Sequence, residues 1–239
     1  MNGAGLLLIT LPTPALIASL PAAMPSPSTA SPQLLAAAPS AEDADRADVW
    51  GLLALLYIAP ADAELLRHLG EQPVMAADAG VAAPPSPLQA TWAALTGAAR
   101  NTSVAAAREA FETLFGGIGQ PAVYVYGSYY LAGALHEKPL ARLRGDLQEL
   151  SLVRRQEVGE SEDHFAVLAE IMRFLIAGDD PDLCLLTRQR ALFQAHIQPW
   201  GTRMCEAIAA HPAADFYSFV ADFTREFLAV EQLGFDLLD

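Results

Sequence analysis

From about Asp45 onward, apolar residues recur at helical spacing rather than in alternation. Asp48 to Tyr57 is a strongly apolar helix that Pro60 stops, and Ala61 to Leu69 resumes with Leu65, Leu66 and Leu69 on one side. Ala77 to Pro87 is an Ala/Gly/Pro-rich linker. Pro87 to Arg100 predicts a helix with proline in its first turn, and Ser103 to Phe115 a second, ended by Gly116, Gly117 and Gly119. Tyr124 to His136 predicts a short aromatic-rich helix after a loop, and Pro139 to Leu152 a helix with an Arg-rich outer face. Ser161 to Ala177 has the clearest amphipathic pattern, with Ser161 as N-cap and Glu162 and Asp163 exposed in the first turn. Asp182 to Gln198 and Gly201 to Ala210 flank Pro199. Ala213 to Gln232 closes the chain, with Phe216, Phe219, Val220, Phe223, Phe227 and Val230 at helical spacing. No convincing stretch alternates with period two, and no repeat emerges. The expected fold is all-α, a single helical bundle over residues 45–239 with no sheet.

Residues 1–44 differ in composition. The first forty carry no charge and consist largely of Ala, Pro, Ser and Leu. Gly5 to Leu20 has the apolarity of a signal-peptide core but lacks a preceding basic residue, is broken by Pro12 and Pro14, and is too short to span a bilayer. The expectation for 1–44 is a disordered extension, with no stable membrane insertion.

Charge narrows the function classes. The formal net charge is -14 over 239 residues, and Lys138 is the lone lysine. A nucleic-acid binder needs a basic face to displace condensed counterions, so no nucleic-acid partner is expected. An acidic chain suits a basic partner, because opposite fields steer the encounter. Cys184 and Cys205 form no CxxC pair and imply no disulfide framework.

Motif spacing bears on three chemistries. None of the five histidines follows a glutamate by three residues and no HExxH occurs, so no metal is expected. There is no GxxxxGK[ST]; Gly116-Gly117-Ile118-Gly119 is a weak phosphate-loop signal that also ends a helix. No GxSxG elbow is present, and no enzymatic turnover or cofactor is expected. The alternative kept open is a helical nucleotide (GTP)-binding protein or hydrolase. More informative is His164, which shares one helix face with Leu168, Ile171 and Leu175 and so should look inward beside Asp163. His196 shares a face with Leu185 and Leu192, and Trp200 follows across Pro199. Tyr124, Tyr126, Tyr129 and Tyr130 add apolar area with polar tips, which suits peptide recognition.

These phrases together resemble the TorD/DmsD/NarJ family. Glu162-Asp163-His164 opening a helix resembles its acidic-x-Asp-His signature. Phe193-x-x-His196-x-x-Pro199-Trp200, then Phe216-Tyr217 and Phe227-Leu228, resemble its C-terminal half. Phe111-Glu112-Thr113-Leu114-Phe115-Gly116-Gly117 is similar to its Tyr-x-x-Leu-Phe segment, with Phe in place of Tyr, and Tyr126-Gly127-Ser128-Tyr129-Tyr130-Leu131 to the next. The resemblance implies a cytoplasmic helical chaperone, monomer or homodimer. Its partner would be a molybdoenzyme catalytic subunit or its twin-arginine leader peptide, held until cofactor insertion. The run His164 to Arg173 and the closing Val230-Glu231-Gln232-x-x-Phe235-Asp236 look most like members associated with formate dehydrogenases. The resemblance and the inward stripe together point to Tyr126, Ser128, Tyr129, Asp163, His164, His196 and Trp200 as the client-binding set. Asp163 would stand at a groove mouth and offer its carboxylate to a leader arginine.

Overall fold

In the computed structural model, which describes residues 17–19, 40–73, 84–116, 120–154 and 158–238, an N-cap side chain opens five of the ten helices. Ser40 accepts a hydrogen bond from Asp43 N–H at 3.0 Å and opens α1 (Ala41–Ile58). Asp62 accepts from Leu65 N–H at 2.8 Å and opens α2 (Ala63–Glu71). Ser86 and Gln89 form a reciprocal capping box at the start of α3 (Pro87–Asn101), whose Pro87 lacks an N–H that would otherwise be orphaned. Ser103 caps α4 (Val104–Phe115). There follow α5 (Gly127–Ala132), α6 (Lys138–Glu149), α7 (Phe165–Ala177), α8 (Leu186–His196), α9 (Gly201–Ala209) and α10 (Phe216–Asp236). The all-α architecture is as the hydrophobic periodicity predicts.

The core forms where α1 lies along α7. Trp50, Leu53, Leu56 and Tyr57 of α1 are buried with Phe165, Leu168, Met172 and Leu175 of α7. α8 packs on α7, α2 on α3, and α10 against α3, α4 and α9. Large aromatics close the joints and their polar atoms are paired, as buried donors require. Trp50 Nε1–H donates to Glu231 at 3.1 Å, Trp92 Nε1–H to Pro73 C=O at 3.1 Å, and Ala61 N–H to Tyr217 Oη at 3.2 Å. Glu231, itself buried, also accepts a bidentate pair from Arg46 at 2.7 and 2.9 Å, tying the end of α10 to the start of α1. At Gly201 a Cβ would stand 2.7 Å from Leu228 Cδ1, so a side chain there would have to displace Leu228 where α9 meets α10.

The structure departs from the sequence reading at the start of α1, in a short strand pair, at α7 and at α10. α1 begins at Ala41, ahead of the expected boundary at 45. A pair of three-residue antiparallel strands, β1 (Ile17–Ser19) and β2 (Leu152–Arg154), joins Ile17 to Arg154 and Ser19 to Leu152, where no sheet was expected. The rest of the expected extension, most of the 77–87 linker and Gly117 to Gly119 lie outside the described residues. α7 is capped by His164, not Ser161, and is buried on nearly every side; Glu170 on its outer face is buried in a bidentate pair with Arg173 at 2.7 Å. It is a central helix, so its apolar stripe is only part of its buried surface. Finally, α10 turns Phe219 and Val230 away from the core, because its buried face runs through Tyr217, Val220, Thr224, Phe227, Glu231 and Phe235.

Candidate functional site

The Glu162-Asp163-His164 phrase forms a tight turn leading into α7. Asp163 precedes the helix and is only 3 % exposed. Its Oδ2 accepts from Ser128 N–H at 2.8 Å and its Oδ1 from Ser161 Oγ–H at 2.6 Å. Its carbonyl accepts from Gly127 N–H at 2.9 Å. Asp163 therefore caps the N-terminus of α5 from across the chain, where its charge also favours the helix dipole. The expectation of an exposed carboxylate at a groove mouth is corrected here: both oxygens already hold donors.

His164 is 5 % exposed, and its Nδ1 accepts from Ala166 N–H at 3.1 Å, so the ring is the α7 N-cap and carries its proton on Nε2. Burial holds its pKa down to about 4 against the pull of Glu160 and Asp163, which keeps the ring neutral. A backbone bridge joins Tyr126 to His164, and the two rings meet edge to face at 4.9 Å. The Tyr126 hydroxyl donates to Glu160, and burial with that carboxylate raises its pKa. Glu162, one residue before Asp163, faces outward to Arg144 on α6 at 2.8 Å. Burial alone would raise its pKa, but the Arg144 hydrogen bond and charge hold it below the ordinary range. Ser128 is fully buried, and its hydroxyl meets no partner among the described residues.

The aromatic members divide. Tyr129 is 36 % exposed and stacks on Tyr124 at 4.0 Å. Tyr130 stacks on the fully buried Trp200 at 5.5 Å, and the Arg203 guanidinium lies 5.4 Å from the centroid of its ring. Trp200 donates Nε1–H to His196 C=O at 2.5 Å and meets Phe165 edge to face at 6.0 Å. A Cβ on Gly127 would stand 3.0 Å from Trp200 Nε1, so this glycine lets α5 lie on the indole. Tyr126, Ser128, Asp163 and His164 thus make one corner, and Trp200 supports it from beneath.

His196 opens onto different ground. It is 6 % exposed and donates Nε2–H to Asp146 Oδ2 at 2.6 Å. Burial lowers its pKa, with Asp146 opposing and Arg142 adding to the effect. This pair stands in a cleft of about 470 Å³ between α6 and α8. Arg142, Asp146 and Glu149 follow one another along the α6 face at i, i+4 and i+7, and Arg188, Ala191, Leu192 and Ala195 do so on α8. Leu150, Ala191, Leu192 and Ala195 supply an apolar floor. Asp146, Glu149, Arg142 and Arg188 were not singled out from the sequence. The available signal was the polar stripe on α6, opposite its buried Leu140, Leu143 and Leu147.

Among the described residues no three His, Cys, Asp or Glu side chains group as metal ligands, and no helix is long and apolar enough to cross a membrane. Both cysteines are free, and burial pushes each thiol up, Cys205 most. The chemistry on offer at the cleft is recognition: two carboxylates, two guanidiniums and a small apolar floor, a lining suited to a peptide with charged and apolar parts. Comparison with known proteins gives one family match, to the family described as nitrate reductase delta subunit, over residues 82–206. The matched stretch runs from just before α3 into α9 and contains both the corner and the cleft. No curated protein matches the chain.

Proposed function

The chain belongs to the nitrate reductase delta subunit family, the TorD/NarJ type of molybdoenzyme assembly chaperones, and on that premise we propose that it holds an arginine-bearing leader or N-terminal segment of a molybdoenzyme in the α6/α8 cleft. The observation that carries this reading is the placement of Asp146 and Glu149 on one helix face above the Leu150, Ala191, Leu192 and Ala195 floor. A twin-arginine leader presents guanidiniums followed by an apolar run. Carboxylates receive the first as charge-assisted hydrogen bonds, and the floor receives the second. Arg142 and Arg188 make the lining two-signed, so it favours a peptide of defined register over a simple cation.

In this proposal the residues drawn from the sequence motifs act at two distances. His196 touches the client from the cleft wall and fixes the Asp146 carboxylate. Tyr126, at the N-cap of α5, and Tyr129, within it, would reach the client through α5, which packs on α6. Ser128, Asp163, His164 and Trp200 are buried and act by holding α5 and the start of α7 in place. The client we propose is a formate dehydrogenase, on the resemblance of the His164 to Arg173 and Val230 to Asp236 phrases, with the encounter in the cytoplasm. Calorimetric titration with a synthetic twin-arginine leader tests the reading. Asp146→Asn with Glu149→Gln should weaken binding at least tenfold, which is about 1.4 kcal/mol. Unchanged affinity in this folded double variant would refute the cleft as the leader site.

A further inference from the structure

The end of α10 carries a row of exposed apolar side chains. Val230, Leu233 and Leu237 stand at i, i+3 and i+7 on one face and are exposed, Leu233 at 61 % and Leu237 at 78 %. Leu185, Leu186 and Leu238 join them. Six of the ten large apolar side chains exposed among the described residues therefore lie at this end of the molecule, a concentration that marks an interaction surface rather than scattered surface leucines.

Beside the stripe runs a groove of about 280 Å³ with Leu186 on one bank and Gly234 and Phe235 on the other. Nothing lies within 4 Å of where a Gly234 Cβ would stand, so packing does not demand a glycine there, and its absence of side chain leaves a notch in the stripe.

The charge around the groove selects the occupant. Glu42 and Asp43 line it, and Asp236 follows Phe235 on α10. Glu42 and Asp236 are exposed and in no ion pair among the described residues. The guanidinium of Arg46, the positive group on the lining, is already held by Glu231 at 2.7 Å and by Asp43 at 3.3 Å. A second copy of the chain would bring the same acidic rim and another net charge of -14 to the contact. An anionic membrane would be repelled in the same way. A helix with an apolar face and Lys or Arg along its borders meets both the stripe and the rim.

We infer that the stripe of Val230, Leu233 and Leu237, with its Glu42 and Asp236 rim, is a docking surface for a cationic amphipathic helix of a partner protein. It is separate from the leader cleft and does not rest on the leader reading, and its stripe and acidic rim lie outside the stretch matched by the family, which includes only the Leu185 and Leu186 bank.

The test uses the full chain and a synthetic 18-residue helix with Leu at i, i+3, i+4 and i+7 and Lys or Arg elsewhere. The control is a scrambled peptide of the same composition that lacks the apolar face. Anisotropy titration should show binding of the amphipathic peptide alone, weakening as salt rises. Leu233→Glu with Leu237→Glu should reduce that affinity at least tenfold while leaving the melting temperature and leader affinity unchanged. Gly234→Leu, which fills the notch in open space, should weaken it too. Equal binding of both peptides would overturn the inference. So would a dimer in sedimentation velocity that the Leu233→Glu, Leu237→Glu variant splits, since a second copy would then own the stripe. Capture of the stripe by anionic vesicles in preference to the peptide, or a parallel loss of leader affinity in that variant, would overturn it as well.

Discussion

The corner at Asp163 and the cleft at Asp146 each hold an aspartate and a histidine, and they use them in opposite ways. At the corner, Asp163 and His164 turn inward, cap two helices and are nearly sealed from water. At the cleft, Asp146 is held by a single imidazole and keeps much of its carboxylate exposed, with Glu149 one turn on. Dense motif chemistry here marks where the backbone needs holding. At the cleft, where we propose the client binds, the polar groups are only partly engaged.

The sharpest way to break this contrast is Asp163→Ala. Removing a buried carboxylate leaves the Ser128 N–H and Ser161 hydroxyl without acceptors, at a cost of about 2 to 4 kcal/mol. For a chain of this size that lowers Tm by roughly 4 to 16 °C. Differential scanning calorimetry reads the drop, and leader affinity of the folded fraction should be unchanged. A variant with normal Tm and lost affinity would return Asp163 to the binding surface.

The second test is pH. The folded pKa of His164 is lowered to about 4 from 6.5, so the unfolded chain binds the proton first as pH falls. The stability that rests on the neutral ring is full above about pH 6.5 and is lost progressively down to about pH 4. At pH 5 the loss is about 2 kcal/mol relative to neutral pH. His164→Asn keeps a capping oxygen and removes the titration. Between pH 7 and pH 5 the native protein should therefore lose several degrees of Tm more than this variant. Parallel curves would show that the ring does not stay buried and neutral.

At the cleft the double change Asp146→Asn, Glu149→Gln should do the reverse of Asp163→Ala, with leader affinity down at least tenfold and Tm moved by only a few degrees. The smallest effect is expected at Tyr129→Ala. It removes a partly exposed ring stacked on Tyr124 and should cost about 1 kcal/mol or less in stability. Thermal melts would detect a larger loss, which would place Tyr129 among the groups that hold the corner.

Much of the architecture was legible because it depends on local rules. Pro87 and Ser103 announced helix starts that the structure repeats, and the inward stripe headed by His164 is buried throughout. The strand pair of β1 and β2 was not legible, since three residues are too few to show an alternation. Nor could the side of α10 that faces water be read, because Phe219 and Val230 are as apolar as the residues that pack.

By itself, the amino-acid sequence determined the helical class, the order of the helices, the acidic character and the family. These follow from spacing, capping residues, composition and short phrases, all properties of neighbouring positions. Tertiary structure alone decided which polar groups are already satisfied. Asp163 meets Ser128 across 35 positions and Asp146 meets His196 across 50, and no local pattern reports such partners. Whether a carboxylate caps a buried helix or faces an open cleft depends on which distant donors reach it and whether water still can.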